Sequence, residues 1–177
     1  MQYHTLANGD LIPAIGLGTW LSKAAIVSDA VQYALEIGYQ QIDCAPIYMN
    51  EKAIGQAFSS AISNKLISRE QLWVTSKLWN NKHDPAAVMP ALKESLHYLQ
   101  LDYLDAYLIH WPVILDPACQ YGQAIQLHHL LPINTIPLHE TWEAMIDCHQ
   151  AGLVRHIGVS NFSISNIESI INYTGVK

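Results

Sequence analysis

Charge is scarce in this chain. Of its 177 residues, 14% are Asp, Glu, Lys or Arg, and nine basic residues stand against fifteen acidic ones for a formal net charge of −6. The basic residues are scattered, so the sequence offers no electrostatic footprint for nucleic acid or for an anionic membrane surface. Long apolar runs are missing as well: none approaches the ~18 residues a membrane-spanning helix needs. The opening MQYHTLANGD has neither the basic start nor the hydrophobic stretch of a signal peptide, and a cytoplasmic protein is expected. Cysteine is limited to Cys44, Cys119 and Cys148. They form no CxxC pair and their odd number leaves one unpaired, which argues against a disulfide framework or a zinc knuckle. What the chain does have is apolar residues, half of the total. That is enough for one domain with a real core and too much for a disordered tail. A small-molecule partner is the expectation.

The apolar residues are arranged in alternating periods. YHTLANGDLIPAIGLGTW predicts two strands joined at the Asn8-Gly9-Asp10 turn, then a short apolar run ending near Trp20. Val27, Ala30, Val31, Ala34 and Leu35 recur at helical spacing, with Gly38 placed for a left-handed cap before the strand YQQID. Ile54, Ala57, Phe58, Ala61 and Ile62 repeat the helical pattern behind Asn50 as N-cap, and LWVTS returns to strand chemistry. Asp84-Pro85 opens a third helix in the favoured cap-then-proline order, with Pro90 a candidate kink, before the strand DAYLIH. Trp142, Met145 and Ile146 mark a fourth helix ending near Gly152, followed by the strand HIGVS and the helical ISNIESIINY.

Five strand-helix units of this kind imply a parallel sheet covered by helices. A dinucleotide-binding sheet requires GxGxxG at its first turn; GLGTWLSK supplies Gly16 and Gly18 but no third glycine and no immediate helix, so a barrel is favoured. Between HIGVS and the preceding strand lies PVILDPACQYGQAIQLHHLLPINTIP, too irregular for a helix and of the length typical of a lid or binding loop.

Four of the apolar runs stop at polar groups: Asp43, Lys77, His110, and the pair Ser160 and Asn161. In a parallel barrel the carboxyl ends of all strands share one face, where these groups would converge. An aspartate beside Lys77 would keep the lysine charged, and the charged lysine would lower the pKa of a nearby tyrosine from its usual value of about 10. Tyr48 lies in the segment leaving the Asp43 strand. Such a phenol suits proton donation to a carbonyl oxygen accepting a hydride, with His110 orienting the carbonyl. From spacing alone, Lys77 reads more readily as a solvated strand end and His110 as a buried histidine satisfied by backbone, while core packing accounts for Trp20, Trp79 and Trp111 about as well as a substrate pocket does. A barrel metal hydrolase is disfavoured: the first strand carries no HxH, and HETWE lacks the second histidine of a zinc helix. No metal is expected.

Together, GLGTW, GYQQIDCAPIYMNEKAIGQAF, VTSKLWN, ALKESLHYLQLDYLDAYLIHWP and GLVRHIGVSNFS resemble the aldo-keto reductase family over essentially the whole chain. The resemblance implies a (β/α)8 TIM barrel with an N-terminal β-hairpin closing its bottom, of which about the first five strand-helix units are present. Residues 1–177 would then be a single domain, incomplete at its C-terminal end relative to the family. It implies NADPH as cofactor and an aldehyde or ketone as substrate. Tyr48 becomes the proton donor, Lys77 and Asp43 tune it, and His110 orients the carbonyl. Ser160, Asn161, Thr19 and Asp43 fall on the cofactor side, and Trp20, Trp79 and Trp111, with His110, on the substrate side. The segments that grip the cofactor's phosphates in the family have no counterpart among these residues, so the chain by itself is expected to be poorly active. The alternative is a non-catalytic remnant acting as a binding or structural piece. Neither nucleic acid nor membrane is implied, and the oligomeric state stays open.

Overall fold

A computed structural model describes residues 2–132 and 134–174. Strands β1 (Tyr3–Thr5) and β2 (Leu11–Pro13) form the expected antiparallel hairpin. At its turn the Asn8 side chain accepts from the backbone N–H of Asp10, and Gly9 takes the positive φ that a side chain disfavours. Five parallel strands follow in chain order: β3 (Leu17–Gly18), β4 (Gln41–Asp43), β5 (Trp73–Leu78), β6 (Leu104–Ile109) and β7 (Val154–Val159). Each strand pairs with the next, without the reversal of order that marks a doubly wound sheet. This is the wall of a partial (β/α)8 barrel, with β3 and β7 as its edges.

The helices are α1 (Ala24–Glu36), α2 (Glu51–Ser63), α3 (Pro85–Leu99), α4 (Leu138–Gln150) and α5 (Ile164–Thr174), and consecutive helices pack against one another. Their apolar stripes, including Val31, Phe58, Leu92 and Met145, join Ile42, Val74 and Tyr107 of the sheet in one core. Asp84 caps α3 by accepting from Ala86 N–H, as its sequence position predicts, and α3 runs unbroken through Pro90. Asn50 corrects an expectation. It occupies the N-cap position of α2, but its side chain makes no cap bond and donates instead to the carbonyls of Thr19 and Ser22.

At Gly55 the α2 and α3 backbones nearly touch. A Cβ there would lie 2.1 Å from the Tyr98 carbonyl oxygen and 2.7 Å from the Leu99 carbonyl carbon. Gly55→Ala is expected to cost about 3 kcal/mol, the upper end of ordinary overpacking, because the obstacle is backbone and cannot turn aside. A urea unfolding midpoint equal to that of the parent would contradict this contact.

The hairpin covers the amino-terminal end of the sheet. Tyr3 donates to the Gln40 side chain, Asp10 pairs with His156 at 3.1 Å, and His156 stacks on Trp73. On that same end Asp105 of β6 accepts from Val74 N–H at 2.9 Å and Arg69 at 2.8 Å, with Arg155 at 3.5 Å. Both guanidiniums lie over the Tyr103 ring. The long segment 111–137 carries a 3-10 turn, Leu127–His129, and is stitched to itself by a bridge between Leu115 and Leu130. Its Gly122 sits against the Met49 side chain, so the loop leans on the turn that bears Tyr48.

Candidate active site

Side chains alternate across a strand, and β5 shows what that does to its two polar residues. Ser76 faces the helices, where its hydroxyl donates to the Glu51 carboxylate at 2.6 Å. Lys77 therefore faces the opposite side, toward the barrel interior. Its ammonium donates to both oxygens of Asp43, at 2.7 and 2.8 Å, and to the Cys44 carbonyl at 2.9 Å. The Tyr48 hydroxyl stands 3.4 Å away. Lys77 is 5% exposed, and the paired carboxylate is the compensation that makes such burial of a charge tolerable. Asp43 ends β4, while Tyr48 ends the 3-10 turn Pro46–Tyr48 that follows it.

His110 follows β6 directly, its N–H bonded to the Leu78 carbonyl. The ring meets Tyr48 edge-on at 5.9 Å and Trp79 at 5.1 Å, and stacks beside Trp111. Burial, assisted by the positive charge of Lys77, pushes its pKa down to about 4. The imidazole is therefore neutral near pH 7. Trp20, Ile47, Tyr48, Trp79, His110 and Trp111 enclose a pocket of about 240 Å³. Trp20 and Trp111, 68% and 42% exposed, form its outer rim.

The remaining candidates lie close by. Thr19 is buried, and its N–H and hydroxyl both donate to the Asp43 carbonyl, joining β3 to the end of β4. Ser160 follows β7 with its N–H on the Ile109 carbonyl. Asn161 adopts a left-handed conformation and donates its amide to the His110 carbonyl and to the Ser160 hydroxyl, both at 2.9 Å. All the polar strand-end residues thus share the carboxyl end of one sheet. Among the described residues no group of three or more His, Cys, Asp or Glu could hold a metal, and no helix is long and apolar enough to cross a membrane.

Sequence reasoning missed three residues that shape this region and gave a fourth, Asn50, a different role. Ile47 lines the pocket beside Tyr48. Asn50 and Glu51 fasten the Tyr48 turn, and the polar MNEK stretch was their available signal. His83 hydrogen-bonds the Trp111 carbonyl at 3.2 Å through Nε2 and accepts at its own carbonyl from Thr141. Because Trp111 presents an acceptor, Nε2 carries the proton.

Burial also holds His83 near a pKa of about 4. Both histidines stay neutral in the folded protein while an unfolded histidine titrates near 6.5, so only the unfolded chain gains their protons as pH falls through that window. Stability is therefore lost as pH drops from about 6.5 toward about 4. Glu51, raised by burial, works in the opposite sense and can offset at most one of the two. Between the two histidine pKa values a net uptake of roughly one proton or more remains, at least about 1.4 kcal/mol per pH unit. The urea midpoint at pH 5 is expected to lie below that at pH 7, and a constant midpoint would refute the buried neutral histidines.

Comparison with known proteins places this chain in a family. The model of the Aldo/keto reductase family matches residues 14–177. An aldo/keto reductase of Synechocystis sp. is 47% identical over 97% of this chain and 52% of its own length. Aldo-keto reductase family 1 member A1 of Xenopus tropicalis is 44% identical over 100% of this chain and 54% of its own. Among solved structures, the aldose reductase of Schistosoma japonicum superposes with a TM-score of 0.92 at 40% identity, covering 100% of this chain and 58% of that one. An aldo-keto reductase of Bombyx mori, solved in complex with NADP, gives 0.85 at 38% identity, covering 99% and 55%. The chain spans about half the length of the curated relatives it matches. With a parallel wall that superposes on these enzymes and a family match beginning at Ala14 and running through the last residue, the chain belongs to the aldo/keto reductase family.

Proposed function

We propose that this chain carries the reaction centre of a cytoplasmic, NADPH-dependent reductase of aldehydes and ketones, built as a single domain, with Tyr48 as proton donor. One observation carries the reading: the Lys77 ammonium bonds Asp43 while standing 3.4 Å from the Tyr48 hydroxyl. When bound, NADPH supplies the hydride that the carbonyl carbon accepts. Tyr48 gives its proton to the carbonyl oxygen as charge develops there, and Lys77 stabilises the phenolate left behind. Asp43 balances the charge of that ammonium and aims it. Neutral His110 hydrogen-bonds the carbonyl and orients it, while Trp20, Trp79 and Trp111 hold its apolar substituent and exclude water.

The chemistry at the end of β7 fits a nicotinamide carboxamide. The Ser160 hydroxyl accepts from Asn161 and keeps its own hydrogen to donate, and the Asn161 side-chain oxygen is available to accept. That donor and acceptor match the carboxamide's oxygen and NH₂. Thr19 and Asp43 complete the cofactor side, Thr19 acting through the Asp43 backbone that it fixes.

These contacts are weak by themselves. Two neutral hydrogen bonds contribute about 1 kcal/mol each, against about 8 kcal/mol for micromolar affinity. The 177 residues alone are therefore expected to bind NADPH more weakly than micromolar, as read by protein fluorescence. Micromolar binding would show that this chain holds the cofactor through contacts beyond these. Reduction of an aromatic aldehyde at saturating NADPH tests the function itself. No Tyr48-dependent turnover at any NADPH concentration would favour the non-catalytic alternative.

A further inference from the structure

We propose that Asn50 and Glu51 form a two-way clamp that sets the position of Tyr48, a positioning role that rests on Tyr48 being the proton donor. Tyr48 sits in the segment 44–50 between β4 and α2. At its entry the segment is held by Cys44, whose N–H donates to the Thr75 carbonyl and whose carbonyl accepts from Lys77. At its exit two consecutive buried side chains pull in opposite directions. The Asn50 amide donates to the Thr19 and Ser22 carbonyls at 2.9 and 3.0 Å, toward β3 and the start of α1. The Glu51 carboxylate accepts from Ser76 of β5 at 2.6 Å and Ser95 of α3 at 3.0 Å. Because β4 lies between β3 and β5, the segment is stretched between its two neighbours.

The position of Ser76 gives the clamp its reach into the reaction centre. It adjoins Lys77, so Glu51 ties the first residue of α2 to the strand that carries the ammonium. Met49, between Tyr48 and the clamp, has a φ of 54° and is 61% exposed. A residue with a Cβ holds that conformation when its surroundings impose it, and its own burial does not. Glu51 is 4% exposed, an expensive place for a carboxylate where an apolar residue would pack α2 on the sheet more simply. Its two serine donors specify a geometry that apolar packing would leave loose. The tolerance is small, since a shift of about 1 Å at a reacting group costs roughly a hundredfold in rate.

Hydrogen exchange on the full chain, read by mass spectrometry, tests the clamp without requiring turnover. Glu51→Ala and Ser76→Ala should each speed exchange across residues 44–50 about tenfold or more, the change expected from losing a hydrogen bond to a charged group. Amides of β5 and β6 should keep their protection. Glu51→Gln, which retains one acceptor oxygen, should fall between and serves if Glu51→Ala fails to fold. Unchanged exchange over 44–50, or an increase spread evenly over α2, α3 and the sheet, overturns the proposal in favour of bulk stability. In aldehyde reduction the same variants should lower kcat in the same order with little change in KM. If Tyr48→Phe reduces aldehyde as fast as the parent, the assigned function fails, while the exchange data still decide whether the clamp holds the segment.

Discussion

Tyr48→Phe is expected to lower carbonyl reduction by about 10²- to 10⁴-fold, the range that a positioned general acid contributes. The ring stays, so its edge contact with His110 and its share of the pocket wall stay too. The hydroxyl goes, and with it the proton that the carbonyl oxygen must receive. Lys77 then faces the pocket with a charge still balanced by Asp43, so the fold should be undisturbed. Cofactor binding should change little, because Ser160 and Asn161 lie on a different strand end. Steady-state kinetics with an aromatic aldehyde reads this directly: kcat falls and the NADPH dependence holds. A variant that keeps a tenth or more of the parent rate would remove Tyr48 from the chemistry.

The largest stability loss is expected at the opposite end of the barrel, from Asp105→Ala. The Asp105 side chain is 3% exposed and satisfies both the Val74 N–H and Arg69, whose own side chain is 14% exposed. Removing the carboxylate leaves a nearly buried guanidinium without its charge partner and a backbone donor without an acceptor. Breaking a buried pair in this way costs about 3–5 kcal/mol. Asp105→Asn keeps an acceptor for Val74 and should lose less. Urea unfolding of the two variants measures the order, and a loss under about 1 kcal/mol for Asp105→Ala would show that Arg69 finds adequate partners in the Leu72 and Tyr103 carbonyls.

The contrast between those two ends shows what the sequence could reveal. Lys77, Asp43 and His110 are legible because each interrupts or ends an apolar run, and parallel strands bring such ends to one face whatever their separation in the chain. The strands and helices are legible for the related reason that their periods differ. Asp105, by contrast, interrupts an apolar run at the strand's beginning, and its partners Arg69 and Arg155 stand 36 and 50 residues away. No local pattern pairs them. Asn before a helix usually caps it, and the sequence reads Asn50 that way; burial beside the Thr19 and Ser22 carbonyls directs its amide to them instead. His83 leaves no local signal because its partners, Trp111 after β6 and Thr141 of α4, stand 28 and 58 residues away.

Isotope transfer tests the central assignment most directly. The chain is incubated with an aromatic aldehyde and NADPH carrying deuterium at the transferred position, at millimolar cofactor to offset weak binding. The alcohol is then analysed by mass spectrometry for the parent and for Tyr48→Phe. The proposed chemistry predicts an alcohol with one deuterium on the carbinol carbon from the parent and a hundredth or less of it from the variant, in line with general-acid contributions of about 10²-fold or more. Equal amounts from both proteins, or none from either, would contradict it.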